Sequence, residues 1–175
     1  SLFRRGQTDH DLLTRAVRLQ KEMLEEAWNK RSSRNLLQSP EQALVLASIV
    51  ERETQAPEDR ARVSAVLQNR LRIGMRLQSD PTTIYGLGSA FDGNLRRNDL
   101  SHPSPYNTYR HKGLPPGPIA SPGRLALLAA LQPAETSALY FVAKGNGRSY
   151  FSHDLKQHNW AVNYYQRGIG QPPPA

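Results

Sequence analysis

Apolar residues recur at helical spacing over the first part of the chain. From Asp9 to Lys30, leucine, alanine, valine and methionine return every three or four positions, with charged residues between them, as in an amphipathic helix. A second helix is predicted from Pro40 to about Thr54, because Ser39 can cap it and proline is favoured at its first position. A third is predicted from Pro57 to near Gly74.

The second part of the chain mixes short helices, a long loop and an alternating segment. Asp80 is predicted to cap a short helix that ends at a glycine-rich stretch, and residues 91–121 are dense in Gly, Pro, Asn and Ser. A helix is predicted from Ser121 to Leu131, a hairpin over residues 138–152 and a last helix over residues 155–167. This order predicts an α+β fold, mainly helical, with a β-hairpin and a long Pro/Gly-rich loop.

The length fits one domain with flanking segments. We predict that residues 1–35 are a helical linker left from an N-terminal region, that residues 36–167 form the main domain and that residues 168–175 are disordered. The longest apolar run, Ala43 to Val50, is too short to span a bilayer. We therefore expect any membrane anchor or export signal to lie outside this chain.

Composition adds a positive charge and removes thiol chemistry. The chain has 23 Lys and Arg against 15 Asp and Glu, a net charge of +8, which makes an anionic polymer or surface a candidate partner. The absence of cysteine excludes disulfides and thiolate metal sites. The five histidines show no ligand spacing, so we expect no metal and no other cofactor. The arginines are scattered, which disfavours nucleic-acid binding.

The stretch LASIVERET places acidic residues directly behind an apolar helical run. At about 100° per residue, Glu51 falls between Leu44 and Ala47, on a helix that is largely apolar in other directions too. A carboxyl group in such a setting loses solvation, which raises its pKa and suits it to donate a proton at neutral pH. A salt bridge to Arg52 or another arginine, or a helix end that reaches solvent, explains the same pattern. Glu53 lies on a different face, where we expect a structural role.

Two segments supply polar and aromatic groups suited to a sugar. They are LQSDPTTIYGLG and SPYNTYRHKGLPPGPI, the second stiffened by prolines. The candidate sugar-binding residues are Gln78, Asp80, Thr82, Tyr106, Asn107 and Thr108. We expect the second segment to lie across a groove from Glu51. The alternatives are helix capping by Asp80 and an ordinary surface loop.

Several long motifs, in one order along residues 40–165, resemble the catalytic domain of the endolytic murein transglycosylases. They are LASIVERET, VLQNRLRIGMRLQSDPTTIYGLG, SPYNTYRHKGLPPGPIASPG, YFVAKGNG and a final HN. The resemblance implies that Glu51 is catalytic and that the reaction is a lyase reaction on peptidoglycan. Glu51 would protonate the oxygen between N-acetylmuramic acid and N-acetylglucosamine, and the muramic acid 6-hydroxyl would then close on C1 to leave a 1,6-anhydro end. One carboxylate suffices, because the nucleophile belongs to the substrate.

The resemblance also implies partners and a location. Peptidoglycan glycan strands are the expected substrate, and peptidoglycan synthases (penicillin-binding proteins) are expected protein partners. The expected location is the periplasmic face of the bacterial inner membrane. One departure is Arg148-Ser149, where the family often has a histidine. The main alternative is a non-catalytic glycan-binding or scaffold module of the cell-wall synthesis machinery. A basic nucleic-acid-binding domain is the second alternative.

Overall fold

The computed structural model describes residues 8–175 as six α-helices, two short 3₁₀ helices and a two-stranded antiparallel sheet, which confirms the predicted α+β class. The elements are, in chain order, α1 (Asp9–Asn29), α2 (Pro40–Glu53), α3 (Pro57–Arg72), α4 (Asp80–Leu87), 3₁₀ helices at Gly88–Ala90 and Arg97–Ser101, α5 (Arg124–Leu131), β1 (Tyr140–Ala143), β2 (Ser149–Ser152) and α6 (Leu155–Arg167). The first seven residues of the predicted N-terminal linker lie outside the described part.

Side-chain caps mark the start of three of the six α-helices in residues 8–175, namely α1, α2 and α6. The Ser39 hydroxyl accepts a hydrogen bond from the backbone N–H of Gln42, and Pro40 is the first residue of α2, both as the sequence predicts. The predicted cap of α4 is wrong, because Ser79 is its N-cap residue and Asp80 already belongs to the helix. Helix α5 begins later than predicted, at Arg124.

Helix α2 lies at the centre of the main hydrophobic core. Its residues 45–50 are all buried, and it packs most extensively on α5 and also on α3, α1 and α4. Each fully buried valine, leucine or isoleucine contributes about 1.5–3 kcal/mol relative to an exposed one. Helix α1 joins this core only through its C-terminal half, where Ala27 is buried, whereas Leu13 and Val17 nearer its start are exposed.

The hairpin and α6 form a second unit with a small apolar cluster of its own. Val142, Tyr150 and Ala161 are the buried residues of this cluster. The unit is tied to the helical body by a carboxylate at the start of α3. Asp59 is fully buried and accepts hydrogen bonds from Arg148 Nε and Nη2, at 3.2 and 3.1 Å. This tie holds the hairpin opposite the C-terminal end of α2 and leaves a cleft between the two units.

The C-terminal segment differs from the predicted disordered tail. The indole N–H of Trp160 donates to the Gln171 carbonyl oxygen at 2.7 Å, and the Tyr150 hydroxyl donates to the carbonyl oxygen of Pro174. Residue Pro173 is buried. Aromatic donors on α6 and β2 thus satisfy carbonyl groups of a proline-rich segment.

Among the helices in residues 8–175, none combines the length and apolarity that a membrane crossing requires.

Candidate functional site

A polar cleft of about 550 Å³ separates the helical body from the hairpin and α6. The body supplies one wall through Glu53, Arg70, Gln78, Asp80 and Tyr109. The hairpin and α6 supply the other wall, with Tyr140, Ser149, His158 and Asn159 among its residues. Titratable and hydrogen-bonding groups from six elements and two loop segments therefore converge on one concave surface, as in the binding sites of many proteins.

Glu53, the last residue of α2, is a carboxyl group of this cleft whose acid–base chemistry is strongly altered. One of its oxygens, Oε1, accepts a 2.5 Å hydrogen bond from the Ser79 hydroxyl. Burial raises the pKa of Glu53 to about 7, against the hydrogen bond from Ser79, which lowers it; the charge of Asp80 raises it further and that of Arg70 lowers it. At neutral pH a large fraction of Glu53 therefore carries a proton that it can donate.

Glu51 lies in a different environment from Glu53, although only one residue separates them. Its Oε1 accepts a 2.8 Å hydrogen bond from the backbone N–H of Gly123, the residue just before α5. A carboxylate at a helix N-terminus satisfies a backbone donor there and interacts favourably with the helix dipole. Glu51 is half-buried and is not among the residues that line the cleft. The structure thus gives Glu51 the capping position and Glu53 the cleft position.

Asp80 faces the cleft in a fixed orientation. The Tyr109 hydroxyl donates a 2.5 Å hydrogen bond to Asp80 Oδ1. Burial raises the pKa of the Tyr109 hydroxyl, and the hydrogen bond to Asp80 raises it further, so the phenol remains a donor. Asp80 itself is exposed on the cleft side, which leaves it able to accept hydrogen bonds from a ligand. Tyr109 was not among the predicted site residues.

Gln78 enters the cleft from a strained backbone position. Its φ angle of +50° is in the left-handed region, which costs a residue other than glycine roughly 1–2 kcal/mol. Its backbone N–H donates to the Thr108 carbonyl oxygen at 3.2 Å. Leu77 and Ser79 on either side are buried, whereas Gln78 is exposed. The turn therefore presents the Gln78 side chain to the cleft while its neighbours hold the segment in place.

The structure does not support the predicted sugar-binding role of Asn107. Its side chain is fully buried, with Oδ1 accepting from the Thr83 hydroxyl and from the backbone N–H of Tyr109. Its Nδ2 donates to the carbonyl oxygens of Leu100 and His102. All four hydrogen-bonding positions of the amide are therefore occupied inside the protein. Asn107 shapes the loop and holds Tyr109 in position instead of facing a ligand.

Thr82 and Thr108 are likewise internal rather than cleft residues. Their hydroxyl oxygens lie 2.7 Å apart in the buried interior, and Thr108 Oγ1 accepts from the backbone N–H of Ser79 at 2.9 Å. These bonds fix the segment that carries Gln78. The prediction of sugar contacts at these two positions is corrected for the same reason as at Asn107: burial satisfies their polar groups.

Tyr106 packs away from the cleft. Its ring lies 4.7 Å from that of Tyr85, centroid to centroid, and contacts the main hydrophobic core. Tyr106 is not among the residues that line the cleft beside Glu53. Of the six predicted sugar-binding residues, the structure brings Gln78 and Asp80 to the cleft.

Further cleft residues that were not predicted from the sequence are Arg70, Tyr140 and His158, although all three lie within the recognised motifs. Arg70 is 7% exposed, and its guanidinium lies 5.1 Å from the centre of the Tyr140 ring. The His158 ring stacks on Tyr140 with a centroid distance of 4.9 Å. Burial lowers the pKa of His158, and the charge of Arg70 lowers it further. The sequence signal that could have revealed this site is Arg70 itself, a charged residue at a buried position of α3.

Comparisons with known proteins identify relatives of this chain. A family model described as the YceG-like family matches residues 2–164. Over 122 residues, the chain is 46% identical to a protein of Bacillus subtilis (strain 168) named endolytic murein transglycosylase, which covers 70% of this chain and 34% of that protein. A Streptococcus pneumoniae serotype 2 protein of the same name is 34% identical over 121 residues, 66% of this chain and 22% of that protein.

A solved structure has the same fold. The crystal structure of a yceG-like protein from Listeria monocytogenes superposes with a TM-score of 0.74 and 34% sequence identity, covering 90% of this chain and 50% of that one. The chain thus spans about a third or less of the length of the two curated relatives, and half of the solved one.

Proposed function

The chain belongs to the YceG-like family, and from this premise we propose that it is the glycan-cleaving domain of an endolytic murein transglycosylase. The substrate is the peptidoglycan glycan strand, and the bond cut joins N-acetylmuramic acid to N-acetylglucosamine. The observation that carries the proposal is Glu53, a carboxyl group with a pKa of about 7 in a polar cleft. The names of the relatives support the reaction class.

Glu53 supplies both proton transfers of the proposed reaction. While Ser79 holds Oε1, the protonated carboxyl group donates its proton to the glycosidic oxygen, and the bond from that oxygen to C1 of muramic acid breaks. The Glu53 carboxylate then takes the proton of the muramic acid 6-hydroxyl, whose oxygen bonds to C1. The products are a free 4-hydroxyl on N-acetylglucosamine and a 1,6-anhydro end, and Glu53 has regained its proton. Gln78 and Asp80 bind the sugars.

The assignment to Glu53 replaces Glu51, which the resemblance implied. The two residues differ in what surrounds them: Glu53 lines the cleft beside Asp80, whereas Glu51 is hydrogen-bonded to Gly123 at the start of α5. An acid catalyst must come within hydrogen-bond reach of the glycosidic oxygen, about 2.6–3.2 Å. A sugar bound in the cleft reaches Glu53, so geometry favours Glu53.

A matched pair of substitutions on α2 tests this assignment. Each of Glu53→Gln and Glu51→Gln replaces a carboxyl group by an amide of similar shape. Cleavage of purified peptidoglycan is followed by mass spectrometry, with circular dichroism as a check on folding. We expect Glu53→Gln to lower turnover by about 10²–10⁴-fold and Glu51→Gln to leave most of it. The reverse result would return the catalytic role to Glu51.

The nature of the new ends tests the reaction class. Glycosidases that use water employ two carboxylates, and Glu53 and Asp80 both line this cleft. The proposed internal attack gives ends lighter by one water than hydrolysis does. Anhydro ends support the lyase reaction, and reducing muramic acid ends would reassign the protein as a hydrolase. Binding of strands with no cleavage would favour a glycan-binding or scaffold module instead.

The proposal extends to location and partners. We infer a place at the periplasmic face of the bacterial inner membrane and contacts with peptidoglycan synthases, because these enzymes build the strands that are cut. Cell fractionation and crosslinking of the full-length protein in its native host test both points. Recovery in the cytosolic fraction, without crosslinks to penicillin-binding proteins, would contradict them.

A further inference from the structure

Arg70 brings a positive charge into the wall of the cleft without an acidic partner. Its Nε donates to the Leu139 carbonyl oxygen at 2.7 Å, and its Nη1 donates to the carbonyl oxygens of Arg76 and Leu77, each at 3.1 Å. Within residues 8–175, Arg70 forms no ion pair, and no residue accepts a hydrogen bond from Nη2. A planar group is thus held firmly while one of its donors remains for a ligand.

The orientation of this guanidinium is fixed from both sides of the cleft. The segment after α3 holds it through Arg76 and Leu77, and the hairpin holds it through Leu139 and the ring of Tyr140. Donors fixed before a ligand arrives lose little entropy on binding. Because Nε and Nη1 are occupied, Nη2 is the guanidinium nitrogen that remains for a ligand, and its hydrogen bonds are strongest to anionic oxygens such as those of a carboxylate.

No carboxylate in the described part of the protein forms an ion pair with Arg70. A buried charge is costly unless it is paired, and burial lowers the pKa of Arg70. The charge of Glu53 would favour the cation, but Glu53 must be protonated to act as the acid. Asp80 is engaged by Tyr109. The donor Nη2 can therefore bind an acceptor oxygen of a molecule in the cleft, either a carboxylate oxygen or a carbonyl oxygen.

We propose that Arg70 recognises the 3-O-lactyl substituent of N-acetylmuramic acid and so determines which sugar of the strand occupies the cleft beside Glu53. The proposal rests on the proposed function. The lactyl group is the only feature that distinguishes the two alternating sugars, and it ends in an acyl group. Arg70 Nη2 donates to the carboxylate oxygen where the peptide is absent and to the amide carbonyl oxygen where it is attached.

This recognition sets the register in which a strand binds and therefore which of its glycosidic bonds is cut. The proposed reaction requires the muramic acid 6-hydroxyl beside Glu53, because that hydroxyl attacks its own C1. A strand bound one sugar out of register places N-acetylglucosamine there and offers no lactyl group to Arg70. Arg70 is therefore a specificity-determining residue, and its effect depends on the substituent that the probe carries.

Binding of three probes to the Glu53→Gln variant tests this inference without cleavage. The probes are glycan strands of equal length, measured by calorimetry: N-acetylglucosamine only, alternating sugars stripped of peptide, and alternating sugars with peptide. We expect the stripped strand to bind roughly 10–100-fold more tightly than the N-acetylglucosamine strand, the range for a hydrogen bond between charged groups. The peptide-bearing strand falls between them if recognition is through a carbonyl oxygen.

Variants of Arg70 in the same Glu53→Gln background separate recognition from structure. Arg70→Met removes the charge, and we expect the stripped and N-acetylglucosamine strands then to bind alike. Arg70→Lys keeps the charge and retains part of the preference. Thermal unfolding reports whether Arg70→Met is folded. If it is not folded, the inference is tested by the order of affinities of the three strands for the Glu53→Gln parent and by the preference that Arg70→Lys retains.

Two results would overturn the inference. One is equal affinity of the Glu53→Gln parent for the stripped and N-acetylglucosamine strands. The other is an equal loss for all probes in the Arg70 variants, which indicates a purely structural role. Failure of the proposed function is recognised separately, because the wild-type chain would then cleave neither alternating strand whatever the order of affinities.

Discussion

At the residue scale, the difference between Glu51 and Glu53 shows what a helical pattern can and cannot reveal. The apolar run before them correctly indicates that a carboxyl group in this stretch is desolvated. Which of the two faces the cleft depends on Ser79, which is 26 positions along the chain from Glu53. The spacing of apolar residues within α2 therefore cannot reveal this contact. The carboxylate of Glu51, the general acid predicted from the sequence, accepts the N–H of Gly123 before α5, and the proposed acid is Glu53 instead.

Asp80→Asn is expected to shift the pH dependence of activity. The proposed acid, Glu53, can donate a proton only when it is protonated, so we expect activity to fall as the pH rises past its pKa, about 7. The negative charge of Asp80 raises that pKa, and its removal therefore moves the alkaline limb of kcat/KM to lower pH. Glu41→Gln, at an exposed position of α2, is the control and leaves the limb in place. An unmoved limb in Asp80→Asn would show that the two carboxyl groups are not coupled.

Glu53 is also expected to make folding stability depend on pH. Its pKa in the folded protein is raised from 4.5 to about 7, so proton uptake favours the folded state. This stabilisation is complete below about pH 4.5 and is lost as the pH rises to about 7 and above. Glu53→Gln avoids the loss, and its stability relative to wild type should rise by about 1–3 kcal/mol between about pH 4 and pH 8. Urea unfolding at the two pH values measures the change; a constant difference contradicts it.

At the element scale, helix ends that depend on nearby residues were predictable and those that depend on distant ones were not. Helix α6 begins and ends as predicted, after Asp154 as cap and before Gly168 in a left-handed conformation. Helix α5 starts late because Glu51, from another helix, accepts the Gly123 N–H. The long loop was recognised by composition. Its composition does not distinguish an exposed sugar-binding loop from the loop observed, which is organised around the buried Asn107.

Asn107→Ala is expected to destabilise the loop and, through it, the whole domain. The substitution leaves the Leu100 and His102 carbonyl groups and the Thr83 hydroxyl without their partner. Unsatisfied buried polar groups of this kind lower the free energy of unfolding by roughly 2–4 kcal/mol. Chemical denaturation measures the loss. Asn98→Ala, at an exposed position, is the control and stays within about 0.5 kcal/mol of wild type.

At the scale of the whole molecule, the cleft exists because two units are held apart and in register. The α+β class and the hairpin were predictable from patterns along the chain. The position of the hairpin opposite Glu53 was not, since the Asp59–Arg148 pair that fixes it joins residues 89 positions apart. No sequence pattern pairs these two residues. Arg62, three positions after Asp59 on the same helix, is also close enough to form an ion pair with it.

Arg148→Ala is expected to loosen the cleft more than Arg62→Ala does. Both arginines contact the buried Asp59, but Arg148 makes two hydrogen bonds, whereas Arg62 approaches only to 3.7 Å. Loss of Arg148 leaves a buried carboxylate with less compensation and frees β2. Its unfolding midpoint should fall and its KM for glycan strands should rise, with little change in Arg62→Ala. Equal effects of the two substitutions would contradict this role for Arg148.

The small apolar cluster of the hairpin and α6 has a consequence for hydrogen exchange. Its buried apolar residues are Val142, Tyr150 and Ala161, whereas the main core buries most of α2 and α5. A unit with so little buried apolar surface opens at a lower free energy than the domain as a whole unfolds. Backbone amides of α6 should therefore exchange with deuterium before those of α2, as one cooperative group, and the cleft should lose one wall while Glu53 keeps its place on the other.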